Sequence, residues 1–314
     1  MTPLEEIRRA QQVIAGSAVR TPLVRLAVES AAEIYLKLEN LQPIGSFKIR
    51  GAFYAMKRAD PSRLARGVVT ASAGNMAQGV AWSARALGIP CTVVVPESAP
   101  ATKVAAVERL GGRVLRVGFD RWWRAIEESR FEDAEGLFVH PVQDEGVMAG
   151  NGTIGLEILE DLPDPDLVLI PWGGGGLASG IGSALRALRP QVKIIAVEVE
   201  TAAPLSASLA AGSPQSISYR PSFVDGIGGK TVLPRMWPLA QEILDGALVA
   251  SLSEIAAAVR LLAERSRVIA EGAGAAPVAV ALAGRAGAGK IVCVVSGGNI
   301  DFEKLAVILA GGTP

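Results

Sequence analysis

The sequence predicts an α/β protein of two three-layer units with mainly parallel sheets. Short runs rich in valine and isoleucine, apolar nearly throughout, alternate with alanine-rich stretches of helical period. That is the pattern of parallel strands covered by helices on both faces. Glycine clusters follow several of these runs, at the strand ends where open α/β sheets hold ligands. A chain of 314 residues, 50% hydrophobic, is long enough for one large core or two ordinary ones.

Strands are expected, in order, at Ile34–Leu38, Gly67–Ala71, Cys91–Val95, Arg113–Val117, Leu167–Pro171, Lys193–Glu198 and Lys290–Val295. β-Branched residues make up half or more of four of them and suit a pleated sheet. Met76–Leu87, Ala101–Leu110, Leu177–Leu188 and Ser253–Arg265 repeat apolar residues at three- and four-residue spacing, as helices do. Gly212–Gly229 carries two prolines and several serines. It reads as a long surface loop that returns to the strand ends through Asp225-Gly226-Ile227-Gly228.

Composition narrows the function. The formal net charge is zero, so nothing points to nucleic acid or an anionic membrane surface. No apolar run reaches bilayer-spanning length, and Leu4-Glu5-Glu6-Ile7-Arg8-Arg9 is too charged for a signal peptide. Cys91 and Cys293 sit inside apolar strands and read as inert core, which fits a reducing cytoplasm. The single histidine, His140, leaves no material for a Ser-His-Asp triad or a multi-histidine metal site. It reads as structural, in a strand-end turn before Pro141.

Four patches carry chemistry. In Gly45-Ser46-Phe47-Lys48-Ile49-Arg50-Gly51-Ala52, a lysine lies between apolar neighbours. Burial disfavours its ammonium and leaves an amine able to attack an aldehyde, although spacing alone also allows an ordinary surface lysine. Ser72-Ala73-Gly74-Asn75-Met76-Ala77-Gln78-Gly79 has the form of a helix-cap loop whose N–H groups can take a carboxylate. Gly173-Gly174-Gly175-Gly176 enters a helix at Leu177, where backbone N–H groups attract phosphate. The same run also reads as a plain strand–helix turn. A third reading is a dinucleotide fingerprint, Gly173-x-Gly175-x-x-Ala178, with Glu198 or Glu200 as the downstream acid. Ser296-Gly297-Gly298-Asn299 follows a strand and could be either a ligand loop or a helix cap before Asp301.

In this order the four patches resemble the fold-type II pyridoxal-5'-phosphate (PLP) enzymes, the tryptophan synthase β-like fold. The likeness is closest to the serine/threonine dehydratases and runs from Arg20-Thr21-Pro22-Leu23 to Asp301. It implies that Lys48 holds PLP covalently and is the catalytic base. Gly173, Gly174, Gly175, Gly176 and Leu177 would hold the phosphate, and Ser296 would meet the pyridine nitrogen. Phe47 and Gly226 would lie on opposite ring faces, with Asn75 at the 3'-oxygen. Ser72, Ala73, Gly74, Asn75 and Met76 would receive the substrate, its carboxylate on Ser72 and the amides of Gly74, Asn75 and Met76. A serine at the ring nitrogen does not protonate it, which favours prompt elimination over long-lived carbanion chemistry.

The resemblance further implies an inserted small domain, 67–143, and a large domain of 1–66 plus 144–314. It implies no carboxyl-terminal regulatory domain, a homodimer or homotetramer, and a cytoplasmic enzyme. The expected reaction is dehydration and deamination of L-threonine or L-serine to a 2-oxo acid and ammonia. A serine racemase with side elimination is the alternative; a β-replacement enzyme or a non-catalytic PLP-binding protein stand behind it. Racemisation needs an acid on the face opposite Lys48, supplied in the family's racemases by a serine where this chain has Ala73. The only histidine lies far along the chain from Ala73. Met76 and Ile44 depart from the family's usual histidine and threonine. Glu198 matches an acidic ligand of a cation site in some relatives, but Pro204 replaces a further carboxylate, so no metal is assigned.

Overall fold

The computed structural model describes all 314 residues. Helix α1 (Leu4–Ile14) leads to strands β1 (Leu23–Arg25) and β2 (Ala32–Leu38), then α2 (Lys48–Lys57) and α3 (Pro61–Leu64). There follow β3 (Val68–Ala71), α4 (Asn75–Leu87), β4 (Cys91–Pro96), α5 (Ala101–Arg109), β5 (Arg113–Val117), α6 (Phe119–Glu128) and β6 (Leu137–Phe138). Next come α7 (Glu145–Asp161), β7 (Leu167–Pro171), α8 (Gly176–Leu188), β8 (Lys193–Val199), α9 (Pro204–Ala211) and α10 (Trp237–Ile243). The chain ends with β9 (Gly246–Ala250), α11 (Leu252–Leu261), α12 (Gly272–Leu282), β10 (Gly289–Val295) and α13 (Phe302–Leu309).

Two sheets result. One, ordered β5-β4-β3-β6, is parallel throughout. The other, ordered β1-β2-β10-β7-β8-β9, is parallel except for β1, which runs antiparallel to β2. Buried apolar clusters cover both faces of each sheet, which is why the central strands can be apolar at successive positions. All seven expected strands form, with ends displaced by no more than two residues. The three that pattern reading misses, β1, β6 and β9, are sheet edges. They are short or half-buried, and so lack the continuous apolar signal. The helix expected to run to Arg265 stops at Leu261, where the backbone widens into a π-turn over Leu262–Ser266.

The helix that starts at Lys48 is held from several sides. A Cβ on Gly150 of α7 would lie 2.4 Å from the Arg50 carbonyl, so the two helices pack backbone to backbone only because residue 150 is glycine. Beneath them lies a solvent-free charge cluster. Arg50 binds Glu39 at 2.8 Å and Glu157 at 2.6 Å, and Lys37 binds Glu157 at 2.5 Å. Two cations and two carboxylates satisfy one another and lock β2, α2 and α7 together. On the other side the loop before α2 pairs with the loop after β10: Phe47 N–H donates to Ser296 O at 3.0 Å and Gly298 N–H to Gly45 O at 2.9 Å. Lys48 and Ser296, distant in sequence, become neighbours by that pairing.

Candidate active site

A cleft of about 970 Å³ opens between the two sheets. Its wall includes Ala71, Pro96 and Pro171, which end β3, β4 and β7, and Ser296, which follows β10. Every residue singled out from the four patches lines it: Phe47, Lys48, Ser72 to Met76, Gly173 to Leu177, and Ser296, together with Gly226 of the returning loop.

Lys48 is the first residue of α2 and reaches into the cleft. Its Nζ donates to Pro141 O at 2.9 Å and lies 5.1 Å from the Phe47 ring centre. Burial lowers its pKa to about 8, against the upward pull of the Glu271 carboxylate. A neutral amine is therefore within reach near neutrality, unlike on a solvated lysine.

The glycine run forms the floor. After β7 the chain turns through Gly175, whose φ of +97° places it in the left-handed region, and enters α8. A Cβ there would also lie 2.5 Å from the Trp172 ring. The backbone N–H groups of Gly173 through Ala178 find no acceptor within the protein. A row of free donors with no side chain in the way fits a phosphate. With the Lys48 amine for an aldehyde and the Ser296 hydroxyl, 3% exposed, for a ring nitrogen, the residues present fit PLP.

The dinucleotide reading fails on its acids. Glu198 accepts from Leu205 N–H at 2.8 Å, Ser206 N–H at 2.7 Å and Ser206 Oγ at 2.7 Å, so it caps the start of α9. Glu200 accepts from Leu252 N–H at 2.7 Å, at the start of α11. The Glu198 carboxylate is buried and fully engaged, and neither acid lines the cleft. The contacts also give Glu198 a structural use; burial raises its pKa while these donors pull it down.

Other expectations are refined. Ser72 is not the cap of α4; Gly74 is, without a side-chain cap bond, and Gly74 N–H is spent on Ser72 Oγ at 3.3 Å. The N–H groups of Asn75 and Met76 remain without acceptors. Ser296 caps no helix, because α13 begins at Phe302 with Asp301 before it. Met76 lines the cleft, whereas Ile44 is buried and does not line it; its backbone carbonyl accepts from Asn299 Nδ2 at 2.8 Å. His140 is nearer the site than its sequence position suggests. Its Nδ1 accepts from Val142 and Gln143 N–H groups at 3.0 and 2.9 Å, shaping the turn that offers Pro141 O to Lys48. Burial and then the Lys48 charge lower its pKa to about 4, so it is neutral and structural.

Sequence reading missed Glu271. Its carboxyl meets the Asn75 amide at 2.9 Å inside the cleft. The available signal was a lone acid between apolar Val268-Ile269-Ala270 and the small-residue run Gly272-Ala273-Gly274. Asn299 stood in a noted patch without a role; its Nδ2 donates to Asn75 Oδ1 at 2.8 Å. Trp122 and Ile126 of α6 also form part of the wall, and nothing in the sequence marked that helix.

Comparison with known proteins agrees with this chemistry. Residues 14–297 match the family model described as pyridoxal-phosphate dependent enzyme. The L-threonine ammonia-lyase of Thermotoga maritima is 42% identical over 319 aligned positions, covering 99% of this chain and 79% of that protein. Maize serine racemase superposes with a TM-score of 0.87 at 32% identity, covering 99% of this chain and 97% of that one. The processed form of threonine deaminase isoform 2 from Solanum lycopersicum superposes with a TM-score of 0.86 at 34% identity, covering 98% and 94%.

Proposed function

The chain belongs to the pyridoxal-phosphate dependent enzymes, and from that premise we propose that it is an L-threonine/L-serine ammonia-lyase. It removes water across Cα and Cβ and releases a 2-oxo acid and ammonia: 2-oxobutanoate from threonine, pyruvate from serine. The observation that carries this reading is the convergence, in one cleft, of a lysine of lowered pKa, a row of acceptor-free backbone donors and a serine hydroxyl. PLP, when bound, supplies the electron sink that acidifies the substrate Cα–H.

The chain's own residues do the rest. Gly173 to Leu177 would hold the phosphate by backbone N–H groups, Ser296 would answer the ring nitrogen, and Phe47 and Gly226 would flank the ring. Ser72 and the N–H groups of Asn75 and Met76 would orient the substrate carboxylate. Lys48, with a pKa of about 8, is suited to take the Cα proton as general base and to return it to the departing β-hydroxyl. Residues 67–143 would form the small domain, a proposal supported by the separate four-stranded sheet within it. We further propose a cytoplasmic homodimer or homotetramer that takes small amino acids as its partners. No helix is long and apolar enough to cross a membrane.

The test is a panel of L-serine, L-threonine and bulkier β-hydroxyamino acids scored for oxo acid release. Release from threonine or serine is expected; a holoenzyme that releases none from either would sink the proposal. Racemisation is the second reading, favoured by the likeness to a serine racemase and opposed by the methyl of Ala73 in the cleft.

A further inference from the structure

One carboxyl group in the cleft is unused by the chemistry above. Glu271 precedes α12, is 5% exposed, and its backbone N–H is fixed on Gly297 O at 3.0 Å. Its Oε1 accepts from Asn75 Nδ2 at 2.9 Å and fills the space where a Cβ on Gly297 would fall, 2.6 Å away. On its other end the Asn75 amide accepts from Asn299 Nδ2 at 2.8 Å, and Asn299 Nδ2 is itself held by Ile44 O at 2.8 Å. The string Ile44–Asn299–Asn75–Glu271 leaves the Asn75 amide one orientation. Flipping it would set donor against donor at Asn299 whatever the charge on Glu271. One N–H of Asn75 Nδ2 is then left for the cleft that Asn75 lines.

We propose that Glu271 is a positioning residue for the deamination: together with Asn299 it holds the Asn75 amide toward the cleft, and it sets the charge that Lys48 meets. The inference rests on the PLP reading of the cleft. Burial, and then Asp225 in the loop before α10, push the Glu271 carboxyl up to about 7, while Lys103 of α5 pulls it down. Lys48 of α2 is the other charged group involved, and an ionised Glu271 raises its pKa. In the cofactor-free cleft, protonated Glu271 therefore favours the neutral amine and ionised Glu271 the ammonium; in the holoenzyme the same charge would act on Lys48 joined to the cofactor, which the absorbance reports. Asn75 and Asn299 carry no charge, so these three groups and Glu271 set the balance.

The experiment reads holoenzyme absorbance against pH, together with PLP affinity. Wild type should show a spectral transition near neutrality. Glu271→Gln keeps an acceptor for Asn75 but removes the charge, so the transition should vanish with affinity close to wild type. Glu271→Ala removes both and should weaken affinity several-fold. On an Asn75→Ala background the same change should add little. Asp225→Asn leaves position 271 intact and should move the transition to lower pH, which keeps the test open if variants at 271 misfold. A Glu271→Gln titration identical to wild type, or independent losses from Glu271→Ala and Asn75→Ala, would overturn the proposal. An unmoved transition in Asp225→Asn would do the same. Wild-type protein without PLP absorbance or a borohydride adduct on Lys48 would instead overturn the cofactor reading, and this inference with it.

Discussion

Lys48 sits where a helix start, an aromatic face and a buried carbonyl meet, and these surroundings rather than its spacing make it reactive. Capture of PLP by cofactor-free protein should quicken as pH rises through about 8, where burial places the amine's pKa. Stopped-flow absorbance checks this, and a flat profile would contradict a titrating amine. Borohydride should fix PLP on Lys48 by peptide mapping, and Lys48→Ala should fold and lose turnover. On the proposed reading, Ala73 should decide the stereochemical outcome. Its methyl cannot deliver a proton, and His140 is neutral with its Nδ1 engaged, so L-serine should yield pyruvate without D-serine on chiral chromatography. Ala73→Ser should introduce measurable D-serine. Substantial D-serine from wild type would hand the reading to the racemase.

At the scale of elements, the cleft depends on turns and helix contacts that tolerate little change. Gly175→Ala forces a side chain into the left-handed region and onto Trp172. The backbone strain alone is about 1–2 kcal/mol, so PLP affinity should fall by roughly tenfold, read by equilibrium titration. Glu157→Gln breaks the charge cluster under α2, leaving Lys37 and part of Arg50 uncompensated in a dry interior. Removing one partner of a buried pair costs about 3–5 kcal/mol. Urea unfolding should show a loss of that order; a loss within experimental error would mean that water reaches the cluster. The long loop before α10 and α5 also meet, through the Lys103–Asp225 ion pair, across the mouth of the cleft.

For the whole molecule, the price of building a site between two sheets is a set of ionisable groups buried without full compensation. Folding raises the Glu271 carboxyl from 4.5 to about 7. Its contribution is intact below the unfolded value and is lost as pH rises through about 7, with a ceiling of roughly 3 kcal/mol. Lys48 runs the other way: its depressed pKa costs stability as pH falls through about 8. Comparison of cofactor-free wild type with Glu271→Gln isolates the first effect. Wild type should lose melting temperature relative to the variant as pH passes from acid to alkaline, and parallel curves would refute it.

The α/β class, seven strands and all four glycine- or serine-marked patches were legible in the sequence, because strand burial and strand-end glycines are local requirements. The cofactor was implied only by the resemblance of the four patches, in their order, to a known family; read one by one, they left a surface lysine, a plain turn and a helix cap open. The edge strands were not legible: a half-exposed strand needs no apolar pattern. Nor was Glu271, whose partner Asn75 lies 196 positions away. Its altered pKa and contact with Asn75 exist only once the fold brings the residue before α12 to the first residue of α4. Glu198 makes the same point in reverse. The sequence left it between ribose, cation and structure, and only the fold, by placing the start of α9 on its carboxylate, decided among them. Local patterns fix which residues can be reactive; the packing of distant segments fixes which groups face one another, and electrostatics and hydrogen bonding act on that second arrangement.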